Sequence, residues 1–261
     1  MLSICVLAVI FFMAAIAREL YIDRQSRSFY SDMAAGIETR PYGPGLSESG
    51  SIEPVDPDNE ETSPSQDKDT DDAWVPYVDF DAINRLFPGT VAWIKMDGTH
   101  IDYPVMQYSD NDYFLTRLPD GTRHRSGSIF LDYRNSSDFS DKSILIYGHE
   151  SRTQEMFSAL KGYREQTFYE ENPVIYLFTP QKDYMIVLFA GHLAHSVRDH
   201  PPMQFEDDEH FLAYIESLKS ISFFNSDVEV SADDRIVSLC TCAYDFSNAR
   251  LVIVGILVEI N

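Results

Sequence analysis

The chain opens on an almost unbroken apolar run, Met1 to Ala17, and the run stops where Arg18, Glu19, Asp23, Arg24 and Arg27 arrive together. At about 1.5 Å of rise per residue such a run reaches roughly 25 Å as a helix, the short end of what a hydrocarbon core of about 30 Å requires. Residues 1–30 therefore read as a membrane-targeting segment. It is either kept as a single-pass anchor with the rest of the chain outside the cell, or removed as a secretory signal at the small residues Ala15-Ile16-Ala17. The arginines follow the run instead of preceding it, the reverse of the arrangement that favours export. Past Ser31 the apolar positions thin out, and residues 31–73 read as an extended, disordered acidic stalk.

Periodic patterning resumes at Trp74, and residues 74–261 read as one folded unit. Asp79 stands as a capping residue before Phe80, Ile83, Leu86 and Phe87 at helical spacing, and Pro88-Gly89 ends that helix. Val91 to Met96 and Thr99 to Tyr103 flank Asp97-Gly98, which predicts a hairpin with a two-residue turn. Further strands are expected at 126–131, 143–147, 174–178, 184–193, 235–242 and 250–259. Helices are expected at 154–163 and at 207–218, the latter with Phe211, Leu212, Ile215 and Leu218 on its apolar stripe. This is the pattern of a mostly β fold, an antiparallel barrel with appended helices.

Composition adds exclusions. Twenty basic against 42 acidic residues give a formal charge of −22, a surface that repels phosphate backbones and argues against nucleic-acid binding. Residues 31–72 carry 12 acids and 2 bases, about half of that excess. The three cysteines, Cys5, Cys240 and Cys242, are too few for a disulfide framework in 261 residues.

Chemistry concentrates near the carboxyl end. Strand alternation puts Ile236, Ser238, Cys240 and Cys242 on one face and Val237, Leu239 and Thr241 on the other. The chain then turns through 244–248 and returns along Leu251-Val252-Ile253-Val254, so Arg250 starts the return strand near Cys242. A guanidinium there eases thiolate charge and can hold an oxyanion. A thiol nucleophile also needs an imidazole to exchange protons with a leaving amine. His149 stands out of the seven histidines because it ends the apolar strand 144–147 through Gly148. His192 reads as packing, and His100, His124, His195, His200 and His210 read as surface residues.

Ser-Leu-Cys-Thr-Cys at 238–242, Asn-Ala-Arg-Leu-Val-Ile-Val-Gly at 248–255 and Ile-Tyr-Gly-His at 146–149 together resemble the class B sortases. So do Asp97-Gly98-Thr99, the run 101–107, Asp110-Asn111 and Gly127-Ser128-Ile129-Phe130-Leu131-Asp132-Tyr133, in order from Trp74 to the end of the chain. The resemblance implies a membrane-tethered cysteine transpeptidase of Gram-positive bacteria, without cofactor or metal. Its fold would be an eight-stranded β-barrel with an amino-terminal helix and an extra helix before the last two strands. By matched positions Cys242 would be the nucleophile that cleaves a sorting signal at a Thr-Gly-type bond, leaving a thioacyl intermediate. His149 would exchange protons with departing and incoming amines, and Arg250 would hold the signal peptide and oxyanion. Asn111, Leu115, Tyr147 and Thr241 would line the substrate groove. The implied partners are the sorting signal of secreted surface proteins, a peptidoglycan or pilin amine as acceptor, and the membrane.

Two departures stand out: Ser238 and Cys240 replace the usual Thr and Ser of the Thr-Leu-Ser-Thr-Cys motif. Cys240 is either a small buried hydrophobe or a partner for a strained bridge to Cys242, whose Cα would lie roughly 6.5 to 7 Å away. Three other readings compete. A hydrolytic cysteine protease would use the same groups with water as acceptor. A zinc site built on Cys-x-Cys and a histidine lacks a fourth ligand. A non-catalytic surface binding module would not need all of Cys242, His149 and Arg250.

Overall fold

The computed structural model describes residues 2–36, 78–150, 155–195, 199–242, 245 and 247–260, with backbone alone at 2–9, 34–36 and 242. Residues 37–77, which hold most of the expected stalk and the Trp74 boundary, lie outside that set. So do 151–154, where one expected helix begins, and most of the turn after Cys242.

Eight strands close into a barrel: β1 (Thr90–Lys95), β2 (Asp102–Met106), β3 (Ile129–Leu131), β4 (Ser143–Tyr147), β5 (Val174–Phe178), β6 (Asp183–His195), β7 (Ile236–Cys242) and β8 (Ala249–Ile260). Their order around the barrel is β1-β2-β3-β4-β7-β8-β6-β5. Neighbours are antiparallel except at two joints, β2 with β3 and β4 with β7, which are parallel. The expected hairpin at Asp97-Gly98 is present with a longer turn: Met96 N–H donates to Ile101 O at 2.8 Å, so four residues span it. Among them only Gly98 takes a positive φ, 70°.

Alternation sorts the side chains. Ile144, Ile146, Val237, Leu239, Leu251 and Ile253 point into the barrel core. Ile236, Cys240, Val252 and Val254 face outward beneath α4 (Asp208–Ser220), which covers them with Phe211, Ile215 and Leu218. These three, spaced four and three apart, form a narrower stripe than expected, since Leu212 is exposed. Asp207 caps α4 by accepting from His210 N–H at 2.8 Å, the role its position before an apolar stripe predicts. Asp79 likewise caps α2 (Phe80–Leu86), accepting from Ala82 N–H at 2.8 Å. Where one helix was expected at 154–163, a 3-10 helix (Phe157–Arg164) is followed by a short α3 (Gln166–Glu171).

The amino-terminal segment departs most from expectation. One continuous helix, α1 (Leu2–Gly36), runs through the apolar stretch and on through the charged residues. Its second half packs on the barrel, burying Ser26, Tyr30 and Met33. The apolar run expected to meet the membrane lies on this helix, with its side chains described only from Ile10 onward, and Arg18, Glu19, Asp23, Arg24 and Arg27 follow it on the same helix. Among the described residues no helix is long and apolar enough to cross a membrane. Met33 shares an apolar cluster with Val78, Phe80, Ile83, Trp93 and Phe178.

Candidate active site

The parallel pairing of β4 with β7 sets Tyr147 beside Cys240 in register, and Gly148 N–H donates to Cys240 O at 3.1 Å. Antiparallel pairing of β7 with β8 sets Cys242 opposite Arg250. The end of β4 and the distant β7–β8 hairpin thus meet at one rim of the barrel. A cavity of about 260 Å³ opens there, lined by His149, Arg250, Tyr147, Asn111, Leu115 and Thr241 among others. Every sequence-nominated side chain that is described lines it. Cys242 contributes its backbone position, the last of β7.

His149 is held on two sides. Its Nε2 lies 2.7 Å from Leu115 O, and because a carbonyl can only accept, Nε2 carries the proton of that hydrogen bond. Its backbone carbonyl accepts from Phe157 N–H at 3.1 Å. Gly148 permits this approach, for a Cβ there would sit 2.7 Å from the Phe157 ring. Arg250 is half-buried, with Nη1 donating to Ala249 O at 3.0 Å.

One wall of the cavity hangs on Asp132, a fully buried carboxylate at the end of the apolar strand β3. Arg134 donates to it through Nε (2.8 Å) and Nη2 (2.7 Å), Asn111 through Nδ2 (3.0 Å) and Tyr147 through its hydroxyl (3.0 Å). Burial alone would raise this carboxyl, but those bonds outweigh it and hold it at about 2. Burial also pushes the Tyr147 phenol above its ordinary range, with Cys240 and Asp132 adding to the effect. The phenol is therefore a fixed donor. Asp132 belongs to a run that carries the family resemblance, yet sequence reasoning gives it no role. A signal for one exists: an Asp that continues Ile129-Phe130-Leu131 must be buried, and a buried carboxylate must be paired.

Of the histidines read as surface residues, His200 is exposed but lines the cavity, and His124 is buried. His200 meets the Tyr147 hydroxyl at 3.1 Å and Arg134 Nη2 at 3.5 Å, on the cavity wall. His124 is buried; its Nδ1 accepts from Ser126 N–H at 3.1 Å and its Nε2 donates to Ile22 O of α1 at 2.9 Å. His192 is buried as packing, with Nδ1 unpartnered.

Cys240 is buried on the α4 side of β7, its sulfur 3.9 Å from Ser238 O. Burial pushes its thiol up to about 12, against the pull of Arg250, so at neutral pH it is an uncharged apolar filler. Among the described residues no group of three or more His, Cys, Asp or Glu is arranged to hold a metal ion.

No protein-family model matches the chain. Sortase B of Listeria monocytogenes serovar 1/2a is 34% identical over 178 residues, covering 67% of this chain and 72% of the relative. Sortase B of Staphylococcus aureus is 30% identical over 184 residues, covering 70% and 75%. A solved S. aureus sortase B–substrate complex superposes with a TM-score of 0.66 at 30% identity, covering 70% of this chain and 85% of that one. Barrel order, the helix before the last two strands and identity at this level across most of both relatives agree: the chain belongs to the sortase B family of cysteine transpeptidases.

Proposed function

We propose that Cys242 is the nucleophile, His149 the proton-exchanging group and Arg250 the holder of signal peptide and oxyanion in a transpeptidation that joins secreted proteins to an envelope amine. The observation that carries this reading is the register of β7 against β8, which sets Arg250 across from Cys242 in the rim that His149 lines. The Cys242 thiolate attacks the carbonyl of a Thr-Gly-type bond in a sorting signal. His149 gives a proton to the departing amine, leaving a thioacyl enzyme. An incoming amine then loses a proton to His149 and takes the acyl group, freeing the thiolate. Arg250 supplies the fork of donors that meets the oxyanion in both steps. The largely apolar groove, with Leu115, Tyr147, Asn111 and Thr241, seats the peptide.

The acceptor in this reading is an amine of peptidoglycan or of a pilin; a solved sortase B complexed with triglycine supports an amine in that family. Attachment to the cell envelope runs through α1, where Ile10, Phe11, Phe12 and Met13 stand exposed. Residues 74–261 form the catalytic unit, and 31–73 an acidic segment that begins on α1, where Met33 packs with Val78.

The test incubates the full chain with fluorogenic peptides carrying Thr-Gly bonds, with and without triglycine. Mass spectrometry is expected to show a thioacyl adduct on Cys242 and, with triglycine, an amide product. Cys242→Ala loses both while its thermal midpoint stays put, since one small side chain changes. Release to water alone, with no amide at any triglycine concentration, would replace transfer with the hydrolytic protease.

A further inference from the structure

The segment of α1 that packs on the barrel touches both supports of His149. One support is the backbone beyond β4, where Glu150 pairs with Met156 and Phe157 N–H donates to His149 O. Arg27 Nε on α1 donates to Glu155 Oε1 of this same turn at 3.0 Å, and that carboxylate is nearly buried. Met156 N–H donates to the Tyr103 hydroxyl at 3.4 Å, and the Tyr103 ring meets Tyr30 of α1 edge to face at 5.0 Å.

The other support is the Leu115 carbonyl, which accepts from the His149 ring. Its segment is braced by Ser128 N–H donating to Phe114 O at 2.9 Å. Gly127 there takes a φ of 56°, and a Cβ on it would come within 2.6 Å of Leu115 O. The Tyr30 hydroxyl donates to Gly127 O at 3.0 Å. Further along α1, Ile22 O accepts from His124, and Glu19 and Asp23 pair with Arg125. A cleft of about 560 Å³ has Leu20 and Ile16 of α1 on one side and His149 with Glu150 on the other.

We propose that Arg27 and Tyr30 are positioning residues for His149: α1 staples the turn that carries its backbone to the loop that holds its ring. Arg27 acts on the backbone side through Glu155, and Tyr30 acts on both sides through Tyr103 and Gly127. Loosening either contact leaves the groove lined as before but lets the imidazole drift against the reacting bond, an error that lowers turnover more than binding. The inference rests on the proton-exchange role given to His149, but its physical core, the restraint on the ring, can be read without turnover.

The experiment uses the full chain with Arg27→Gln, Tyr30→Phe and Arg27→Lys. The His149 imidazole resonance, assigned by its loss in His149→Gln, is followed against pH, alongside kcat and KM for a fluorogenic Thr-Gly peptide. Arg27→Gln and Tyr30→Phe are expected to shift the His149 resonance and its titration midpoint and to lower kcat about 10-fold at unchanged KM. Arg27→Lys, which keeps a donor and charge for Glu155, restores most of both. Tyr30→Phe removes a single hydroxyl, so it reports even if a charge change at 27 prevents folding. An unmoved His149 resonance in folded variants would overturn the proposal, as would a rise in KM at constant kcat. If the resonance moves while the parent chain forms no thioacyl adduct, the positioning stands and the transpeptidase assignment of His149 falls.

Discussion

At the scale of single residues, the site depends on pairing charges that could not be left alone. Asp132 is buried, and its five donor atoms come from Arg134, whose backbone N–H also donates, Asn111 and Tyr147. Its carboxyl is depressed to about 2 in the folded chain, against an ordinary value of about 3.9. Its contribution to stability is thus complete above about pH 4 and is lost as the pH falls through 2. Asp132→Asn should cost about 2–3 kcal/mol, since charge-assisted bonds to a buried group are lost while their donors remain. Because Asn111 and Tyr147 lose their common anchor, KM for the peptide should rise; urea unfolding and steady-state kinetics check both. Arg250→Lys is a sharper case. A point-charge ammonium replaces a planar fork, and kcat should fall about 100-fold with the chain still folded; unchanged turnover would remove Arg250 from the chemistry.

At the scale of elements, much of the chain was legible and the failures have physical reasons. Strands β4, β5 and β7 sit within a residue of the bounds that alternation predicts, because both of their faces are packed and their turn residues are unambiguous. The capped helix α4 was equally plain. The strand expected at 126–131 shrinks to β3, because the Ser126 and Gly127 N–H groups go to His124 and that of Ser128 to Phe114 instead of to a neighbouring strand. The continuation of α1 past Ala17 is hard to see in the sequence because its contacts are scattered: Ser26, Tyr30 and Met33 are three to four apart among charges that mask the stripe. Cys242 and Arg250 could be paired from sequence because a hairpin brings them together. The fit of His149 to Leu115, by contrast, is a long-range contact that no local pattern encodes.

Within β6, His192 behaves as its alternating strand implied, and its burial carries a pH signature. Burial lowers its imidazole to about 4, the Asp199 charge opposing. Unfolded, the ring takes up a proton near pH 6.5, so the unfolded state binds more protons between about pH 6.5 and 4. Stability should be full above that window and decline as the pH falls through it. A thermal-midpoint profile should show that decline, and His192→Gln, which cannot titrate there, should flatten it.

For the whole molecule, the feature with the widest reach is closure of the barrel. Among the described residues every strand from β1 to β8 has a neighbour on both sides over part of its length, so the barrel offers no free edge strand to a client peptide. Many peptide-binding proteins gain affinity by accepting their ligand as one more strand; here that route is shut. Recognition then falls chiefly to side chains, which favours a ligand picked by the shape of a few residues, held weakly and soon released. Such fleeting docking suits an enzyme whose lasting grip on its client would be a covalent bond.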